Sequence, residues 1–184
     1  KWNKEIIYNL QNVKWIDIDF DNYQNPIIVF SDGNNLYRAN RLGVNSWNVQ
    51  SIVNTGGSYV RIIVDNQNEE HITYVDSNGV LKYLKFNGII QNQIDIEQNG
   101  VSSYTYFIED NQGKIYLSYN HNDGTDSGIK YAVFDNSMWV SYWIDKTSKW
   151  PAGTLFSFSS IGISNNGDAY VVYPVYDGGS GTNM

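Results

Sequence analysis

A short block of sequence recurs several times along this chain. The segment 36–39 (LYRA) has counterparts at 81–84 (LKYL) and at 129–132 (IKYA), and tryptophan recurs at related places, as Trp2, Trp47 and Trp139. The spacing between copies is 45 residues and then 48. A period of this size indicates an architecture in which one small supersecondary unit is stacked on copies of itself.

Each copy is predicted to contain four short strands. Residues 15–19 (WIDID) alternate between apolar and polar side chains, which is the pattern of a strand with one buried face. Asp-Gly and Asn-rich turns separate such segments. The predicted strands are 13–19, 26–30, 36–39 and 47–53, then 59–65, 71–75, 81–86 and 91–96, then 104–109, 115–119, 129–134 and 139–145, and finally 159–164 and 169–173.

A repeated four-stranded antiparallel unit of about 40–50 residues is typical of a β-propeller blade. We therefore predict an all-β fold, a β-propeller with about four blades represented, either as a whole or as part of a larger propeller. The prediction is a single domain over 1–184, with repeats at about 1–12 (fourth strand only), 13–57, 58–100, 101–155 and 156–184 (partial). A β-sandwich is the alternative, although it does not require internal repetition.

Both ends of the repeat series are incomplete. Residues 2–9 match a fourth strand with no earlier strands before it, and the last repeat stops where its third strand would begin. Two interpretations stay open: further blades outside this chain, or a four-bladed ring with an irregular final strand. Because the last repeat lacks its third strand, the strand 169–173 would have an unpaired edge. Such an edge favours pairing with missing blades or self-association through open edge strands.

Composition excludes several classes of protein. The chain has 184 residues, a formal charge of −7 and a pI near 4.6, which argues against a nucleic-acid partner. It has no cysteine, which excludes disulfides and thiol nucleophiles. No apolar run is long enough to span a membrane, and the first residues do not lead into the apolar segment of a signal peptide.

Two segments resemble a known family. The segments 65–88 (DNQNEEHITYVDSNGVLKYLKFNG) and 109–139 (EDNQGKIYLSYNHNDGTDSGIKYAVFDNSMW) are similar to repeats of bacterial sialidase-like, BNR-type β-propellers. The resemblance extends over nearly the whole chain and implies the propeller architecture. It leaves the function open, because propellers of this type include lectins, glycosidases and scaffolds.

The sequence departs from the sialidase pattern. The Asp-box of that family, Ser-x-Asp-x-Gly-x-Thr-Trp, has only a faint echo at 135–139 (DNSMW). Sialidases also use three arginines from several blades to hold a carboxylate. This chain has three in all, of which Arg38 and Arg41 lie on or just after one predicted strand and Arg61 on another. A complete sialidase site within this chain is therefore not predicted.

Aspartates follow the second strand of successive repeats, where propeller loops converge on one face. Carboxylates at such places bind sugar hydroxyls or a hard cation, so they are candidate ligand-binding residues. The alternative is turn chemistry, in which the side chain accepts hydrogen bonds from its own backbone. The residues concerned are Asp32, Asp76, Asp123, Asp126 and Asp177.

Two further residues are candidates for ligand binding. Arg38 stands where the other copies have tyrosine, and we expect it to reach an anionic ligand or a carboxylate such as Asp32. The alternative for Arg38 is a solvent-facing side chain with a packed stem. Trp150 lies in a loop of the longer third repeat, where an exposed indole would stack on a sugar ring; core packing is the alternative.

No catalytic residue, metal site or cofactor is predicted. His71 and His121 are far apart in a chain without cysteine, so they do not suggest a zinc site. The Asn- and Asp-rich loops after the first strands do not match a calcium-binding loop either.

The preferred interpretation is a non-catalytic binding propeller, lectin-like or adhesive, that recognises a glycan or a protein through loops on one face. The alternatives are a sialidase-like glycosidase fragment whose catalytic residues lie largely outside this chain, and a structural scaffold. Catalysis is not favoured, but an enzyme of this architecture would be a glycosidase. We expect a secreted or surface protein of bacterial type, extracellular or on the cell surface.

Overall fold

The computed structural model describes residues 4–9, 12–98, 100–101, 105–135, 137–149 and 155–176. Within these ranges the regular structure is sixteen β-strands and one short 3-10 turn, Thr147–Lys149. The chain divides into two compact units. Unit 1 comprises Lys1–Ser77 and Tyr83–Gln93, and unit 2 comprises Asn78–Lys82 and Ile94–Met184.

Three four-stranded antiparallel sheets account for most of the described chain, each with its strands side by side in sequence order. Sheet 1 contains β1 (Trp15–Phe20), β2 (Pro26–Ser31), β3 (Leu36–Gly43) and β4 (Ser46–Val53). Sheet 2 contains β5 (Ser58–Val64), β6 (Glu70–Val75), β7 (Leu81–Phe86) and β8 (Ile90–Glu97). Sheet 3 contains β9 (Tyr106–Glu109), β10 (Ile115–Asn122), β11 (Ser127–Asp135) and β12 (Met138–Lys146).

The last repeat forms two small two-stranded sheets. In sheet 4, β14 (Ser160–Ile163) pairs with β15 (Ala169–Val172). The strands that flank sheet 4 in the sequence form the other small sheet, in which β13 (Leu155–Phe156) pairs with β16 (Val175–Tyr176). Sheet 4 therefore has the first two strands of the repeat and no third or fourth strand among the described residues.

The predicted four-stranded sheets are confirmed, although β3 extends four residues and β10 three residues beyond their predicted ends. The N-terminal segment differs, because residues 4–9 form no strand. The Glu5 carboxylate instead binds the Arg41 guanidinium and accepts a hydrogen bond from Trp47 Nε1 (3.0 Å). The segment is thus attached to sheet 1 by side chains. The predicted repeat and domain boundaries stay predictions.

The turn after the first strand is closed by the side chain of its first residue in sheets 1 to 4. Its first residue is Asp21, Asp65, Asp110 or Ser164. In the three aspartate turns, Oδ1 accepts the backbone N–H two and four residues later, for example from Tyr23 (2.9 Å) and Asn25 (2.7 Å). Ser164 Oγ accepts only the second of these, from Asp168 N–H (3.1 Å). The side chain therefore stabilises the turn through hydrogen bonds to residues two and four positions later.

The fourth residue of each of these turns has a positive φ. Glycine holds this position in sheets 3 and 4 (Gly113, 80°; Gly167, 84°), whereas Gln24 (64°) and Asn68 (62°) hold it in sheets 1 and 2. A glutamine at positive φ is uncommon because its Cβ crowds the backbone. The turn thus keeps a positive φ at its fourth position even where that residue is not glycine.

Within unit 1, carboxylates of sheet 1 cover the edge of sheet 2. Asp17 Oδ2 accepts the backbone N–H of Ile62 (3.1 Å), and Asp19 Oδ2 accepts that of Val64 (2.7 Å). These amides lie on β5, an edge strand with no partner strand on that side. Unsatisfied edge amides are costly and prone to aggregation, so the two aspartates both satisfy the edge and hold the sheets in register.

The apolar core of unit 1 is made from facing surfaces of sheets 1 and 2. Its buried members are Ile27, Val29, Leu36, Val60, Ile62, Ile72, Tyr74, Leu84 and Phe86. In unit 2 a smaller cluster joins sheets 3 and 4: buried Tyr116, Val133 and Ile161, with Ile108, Ile163 and Val171 packed against them. In both units, one sheet buries its apolar face against the next.

The shared turn generates a testable prediction. Asp21→Ala removes the acceptor for two backbone amides and should lower the free energy of unfolding by about 1 kcal/mol. Urea unfolding followed by tryptophan fluorescence measures the change. Tyr23→Ala, in the same turn at a side chain that is 79% exposed, is the matched control and should cost little. Equal losses in the two variants would show that the Asp21 side chain does not fix the turn.

Candidate functional site

Two of the predicted aspartates close their own turns. Asp32 Oδ1 accepts the backbone N–H groups of Asn34 (2.8 Å) and Asn35 (2.7 Å). Asp123 Oδ1 accepts those of Thr125 and Asp126 (both 2.8 Å). The hydrogen bonds from these amides lower the pKa of both carboxyl groups. Each side chain therefore has a structural role, and ligand binding by these aspartates stays a prediction.

The other predicted residues have varied surroundings. Asp76 follows β6 and is buried. Asp126 binds the Lys146 ammonium (2.9 Å), which helps to lower the pKa of its carboxyl group. Trp150 and Asp177 lie outside the described residues, so their predicted roles also stay predictions.

Arg38 has a carboxylate partner, but it is Glu70 rather than Asp32. Arg38 Nε donates to Glu70 Oε2 (2.7 Å), and Nη2 donates to Glu70 Oε1, so the contact is bidentate. The Arg38 side chain is only 12% exposed and that of Glu70 5%. The guanidinium also lies 5.4 Å from the centre of the Phe86 ring. Within unit 1 this residue therefore links β3 of sheet 1 to sheet 2.

His71 belongs to a buried polar network. Its Nε2 lies 3.1 Å from Asp65 Oδ2 and its Nδ1 lies 2.8 Å from the Tyr83 hydroxyl. Burial lowers the pKa of His71 and raises that of Tyr83, despite the opposing effect of Asp65 on the histidine. A neutral histidine thus ties the turn of Asp65 to β7, which is a structural role.

His121 has a different environment, in unit 2. It packs edge-on against Trp143, with ring centres 5.4 Å apart, and burial lowers its pKa. Lys130 and Lys146 lie over the same indole, at 5.2 and 5.7 Å. Across the described ranges, no three His, Asp or Glu side chains are grouped so that they would hold a metal ion. No helix in the described part of the chain is long and apolar enough to cross a membrane.

An open groove of about 490 Å³ lies in unit 2, and we call it the tyrosine groove. This volume is in the range of small-ligand sites. The groove lies on the side of sheet 3 that faces sheet 4, and β15 is the strand of sheet 4 that contributes to its lining. Its lining is Lys114, Tyr116, Tyr131, Val133, Asp135, Tyr142, Ile144, Ala169 and Val171.

Tyrosine side chains dominate the groove. Tyr131 on β11 is directly opposite Tyr142 on β12, and their rings stack with centres 5.1 Å apart at 22°. Tyr142 is 46% exposed, so part of the stacked pair is accessible to solvent. The Tyr116 hydroxyl donates to Asp110 (3.2 Å), and burial together with Asp110 raises its pKa, which keeps this hydroxyl protonated.

Charged groups complete the groove. Lys114 precedes β10, with its ammonium 6.0 Å from the centre of the Tyr116 ring, and Asp135 ends β11. The groove therefore combines flat aromatic surface with one cationic and one anionic side chain. Such a site binds a ligand that has both an apolar face and hydroxyl groups.

The sequence pattern alone does not indicate these residues as a site. Tyr131 was visible only as the repeat counterpart of Arg38, and Tyr142 only as a tyrosine between Trp139 and Trp143. Period-2 alternation places Tyr131, Val133 and Asp135 on one face of β11, which was the available signal. Among the described residues sheet 4 has two strands, which leaves part of this face uncovered.

Comparison with known proteins identifies the architecture. No protein-family model and no curated protein matches the sequence. Among solved structures, similarity is found to an endo-1,4-β-xylanase from Bacteroides thetaiotaomicron, with 17% identity, 92% of this chain and 68% of that chain covered, and a TM-score of 0.54. A variant of the GH43 protein BlXynB from Bacillus licheniformis is also similar, with 13% identity, 92% and 38% coverage and a TM-score of 0.52.

The four-stranded antiparallel sheets have the architecture of the blades in these neighbours. The chain is a β-propeller. A triple arginine-to-alanine variant of AofleA from Arthrobotrys oligospora is a further structural neighbour of the propeller, with 11% identity, 85% and 51% coverage and a TM-score of 0.56. The glycosidase neighbours are of xylanase type. Their similarity supports a β-propeller fold in general. A specific relation to BNR-type sialidases stays a prediction.

The buried ion pair of Arg38 and Glu70 leads to a prediction about stability. Glu70→Ala leaves the Arg38 guanidinium buried without its counterion and should cost about 3 kcal/mol of stability. Arg38→Met combined with Glu70→Ala should recover part of this loss, because the unpaired charge is removed and the stem beside Phe86 is kept. Urea unfolding of the single and double variants measures both effects.

The control is the neighbouring pair of Glu69 with Lys85, whose side chains are 29% and 30% exposed. Glu69→Ala should cost less than about 1 kcal/mol, as exposed ion pairs do. If Glu70→Ala is no more harmful than Glu69→Ala, the buried pair is not important for the propeller.

Asp32 generates a prediction on pH dependence. Its pKa is lowered by the amide hydrogen bonds, so its contribution to stability is complete above the unfolded-state pKa of about 3.9 and is lost as the pH falls through the lower folded-state pKa. Asp32→Asn keeps an oxygen acceptor but does not titrate. The variant should therefore be less stable than the wild type at pH 7, with the difference shrinking towards pH 2. A constant difference across this range, in urea unfolding at several pH values, would contradict the prediction.

Proposed function

We propose that this propeller is a non-catalytic glycan-binding module and that the tyrosine groove is its binding site. The observation that carries the proposal is the stacked pair of Tyr131 and Tyr142, which presents an exposed ring in an open groove of about 490 Å³. The structural neighbours support a role related to glycans.

The chemistry of the groove suits a sugar ring. A pyranose has a face of C–H groups that packs on an aromatic ring, and a rim of hydroxyls that needs hydrogen-bond partners. Tyr142 offers the ring, while Lys114 donates hydrogen bonds and Asp135 accepts them. A site of this kind orients the sugar through a few polar contacts at the edge of an apolar surface.

Oligosaccharides of β-1,4-linked xylose are the first ligands to test. One neighbour of similar fold is described as an endo-1,4-β-xylanase. The groove itself favours a neutral sugar, because the one cationic side chain in its lining is accompanied by a carboxylate. The proposal includes an extracellular or cell-surface location, where polymeric glycans are encountered.

A glycosidase is the second candidate, and the xylanase and GH43 neighbours favour it. Hydrolysis of a glycosidic bond uses two carboxyl groups on either side of that bond. Among the described residues, Asp135 is the single carboxylate in the groove lining. Binding is therefore the better-supported function of this groove. Release of reducing sugar from xylan by the purified chain would instead favour the glycosidase.

Binding to xylo-oligosaccharides, followed by isothermal titration calorimetry, tests the proposal. Tyr142→Ala should weaken binding about tenfold, the effect of losing about 1.4 kcal/mol of stacking. Tyr142→Phe keeps the ring and should bind nearly as the wild type does.

Tyr106→Ala is the matched control, since Tyr106 is also in unit 2, is 44% exposed and does not line the groove. It should leave the affinity unchanged. Wild-type protein that binds no xylo-oligosaccharide and nothing on a wider glycan array would overturn the proposed function. Binding that survives Tyr142→Ala would exclude the tyrosine groove as the site.

A further inference from the structure

The turn between β7 and β8 contains an asparagine followed by a glycine, Asn87–Gly88. Such a pair is chemically labile, because the backbone nitrogen of the second residue can attack the side-chain amide of the asparagine. Glycine has no Cβ to obstruct the attack, and asparagine is one of the thermolabile residues of proteins. In a folded chain the reaction depends on whether the glycine N–H and the asparagine side chain are held by other contacts.

Both groups are free in the turn of Asn87. Among the described residues, neither the Gly88 N–H nor the Asn87 side-chain amide has a hydrogen-bond partner. The backbone N–H of Asn87 donates to the Ile89 carbonyl (3.1 Å), so the turn is closed without either group. Asn87 and Gly88 are exposed, and a Cβ at Gly88 would have no atom within 4 Å beyond its chain neighbours. The reacting atoms therefore have the space that ring closure needs.

The turn of sheet 4 contains a closely matched pair, Asn166–Gly167. Both residues are exposed there too, and a Cβ at Gly167 would also have no neighbour within 4 Å. The backbone conformations are alike, with a φ of 84° at Gly167 and 76° at Gly88. The difference is one hydrogen bond, because the Gly167 N–H donates to the Ser164 carbonyl (2.9 Å). In this turn the attacking nitrogen is held away from the reaction.

Glycines that follow aspartate are held in the same way. Aspartate reacts through the same type of ring, with water as the leaving group. The Gly33 N–H donates to Ser31 Oγ (2.9 Å), and the Gly124 N–H donates to Asn122 Oδ1 (3.0 Å). In the remaining described Asn-Gly pair, Asn78–Gly79, the asparagine has an interaction partner. The turn between β7 and β8 differs from all of these.

We propose that Asn87 is a site of spontaneous modification in the folded protein, where it converts to aspartate and isoaspartate. The Gly88 nitrogen forms a bond to Cγ of Asn87, and the side-chain nitrogen leaves as ammonia with the proton of the Gly88 N–H. The product is a cyclic succinimide. Water then opens the ring at one of its two carbonyls, which gives aspartate in one case and isoaspartate in the other. The reaction uses water alone as co-reactant.

Conversion changes the turn in two ways. Each product adds one negative charge to a chain whose formal charge is −7. Isoaspartate also routes the backbone through the former side chain, which lengthens the turn by one methylene. In β8, which follows this turn, Gln93 donates to the Tyr74 hydroxyl (3.0 Å). A longer turn should weaken this contact and with it the attachment of β8 in unit 1.

Mass spectrometry of the folded chain, incubated at pH 8 and then digested, tests the proposal. Asn87 should gain the mass difference between asparagine and aspartate about tenfold faster than Asn166. This is the ratio expected if a hydrogen bond worth about 1.4 kcal/mol protects Gly167. Fragment ions assign each change to one asparagine. In concentrated urea, where the turn hydrogen bonds are lost, the two asparagines should react at similar rates.

Asn87→Gln is the matched control, because glutamine would have to close a larger and less favourable ring. It should keep the turn uncharged and show no conversion at this position. Asn87→Asp has the added charge without the longer backbone, so in urea unfolding it should resemble fresh wild-type protein. Aged wild-type protein, which contains isoaspartate, should be less stable than both.

Equal rates at Asn87 and Asn166 in the folded chain would overturn the proposal, as would conversion of Asn87 in urea only. A rate ratio that persists in urea would also contradict it, because the difference would then come from the neighbouring sequence rather than from the turn. All of these outcomes are independent of glycan binding.

Discussion

A four-stranded sheet of this protein has two apolar faces, and it has no means of burying either by itself. Both units are organised by this constraint. In unit 1, Ile27 and Val29 of β2 share one cluster with buried residues of β5, and in unit 2 Tyr116 of β10 shares a cluster with Ile161 of β14. Polar groups also join these sheets, because Asp17 and Asp19 of sheet 1 accept hydrogen bonds from backbone amides of sheet 2. Stability and register therefore come from contacts between successive sheets.

The tyrosine groove is a local exception to this burial. Sheet 3 has four strands, while sheet 4 has two among the described residues, so part of the sheet 3 surface stays open. The counterparts of Tyr131 in sheets 1 and 2 are enclosed, because Tyr83 is fully buried and Arg38 is in a buried ion pair. The same repeat position thus serves structure in two sheets and is available for binding in the third.

Most of the fold could be predicted from the sequence, because strands and turns are local. Period-2 alternation located the strands, and Asp21, Asp65 and Asp110 form the expected turns through their own neighbours. The contacts that were not predicted join distant positions. Arg38 and Glu70 are 32 residues apart, and nothing in the sequence separates Glu70 from the adjacent Glu69 as the partner. The groove combines residues of four strands that are distant in the sequence, β10 and β15 among them.

The contiguity of each sheet has a consequence for how the chain folds. All strands of sheet 1 lie between Trp15 and Val53, and each pairs with its neighbour in sequence. Contact order within a sheet is therefore low, so the loop-closure entropy of each hairpin is small. A nascent chain emerging from the ribosome would complete one sheet before the next is synthesised. Within each unit the earlier sheet can then offer the apolar face on which the later sheet packs, so we expect folding in each unit to proceed from its first sheet.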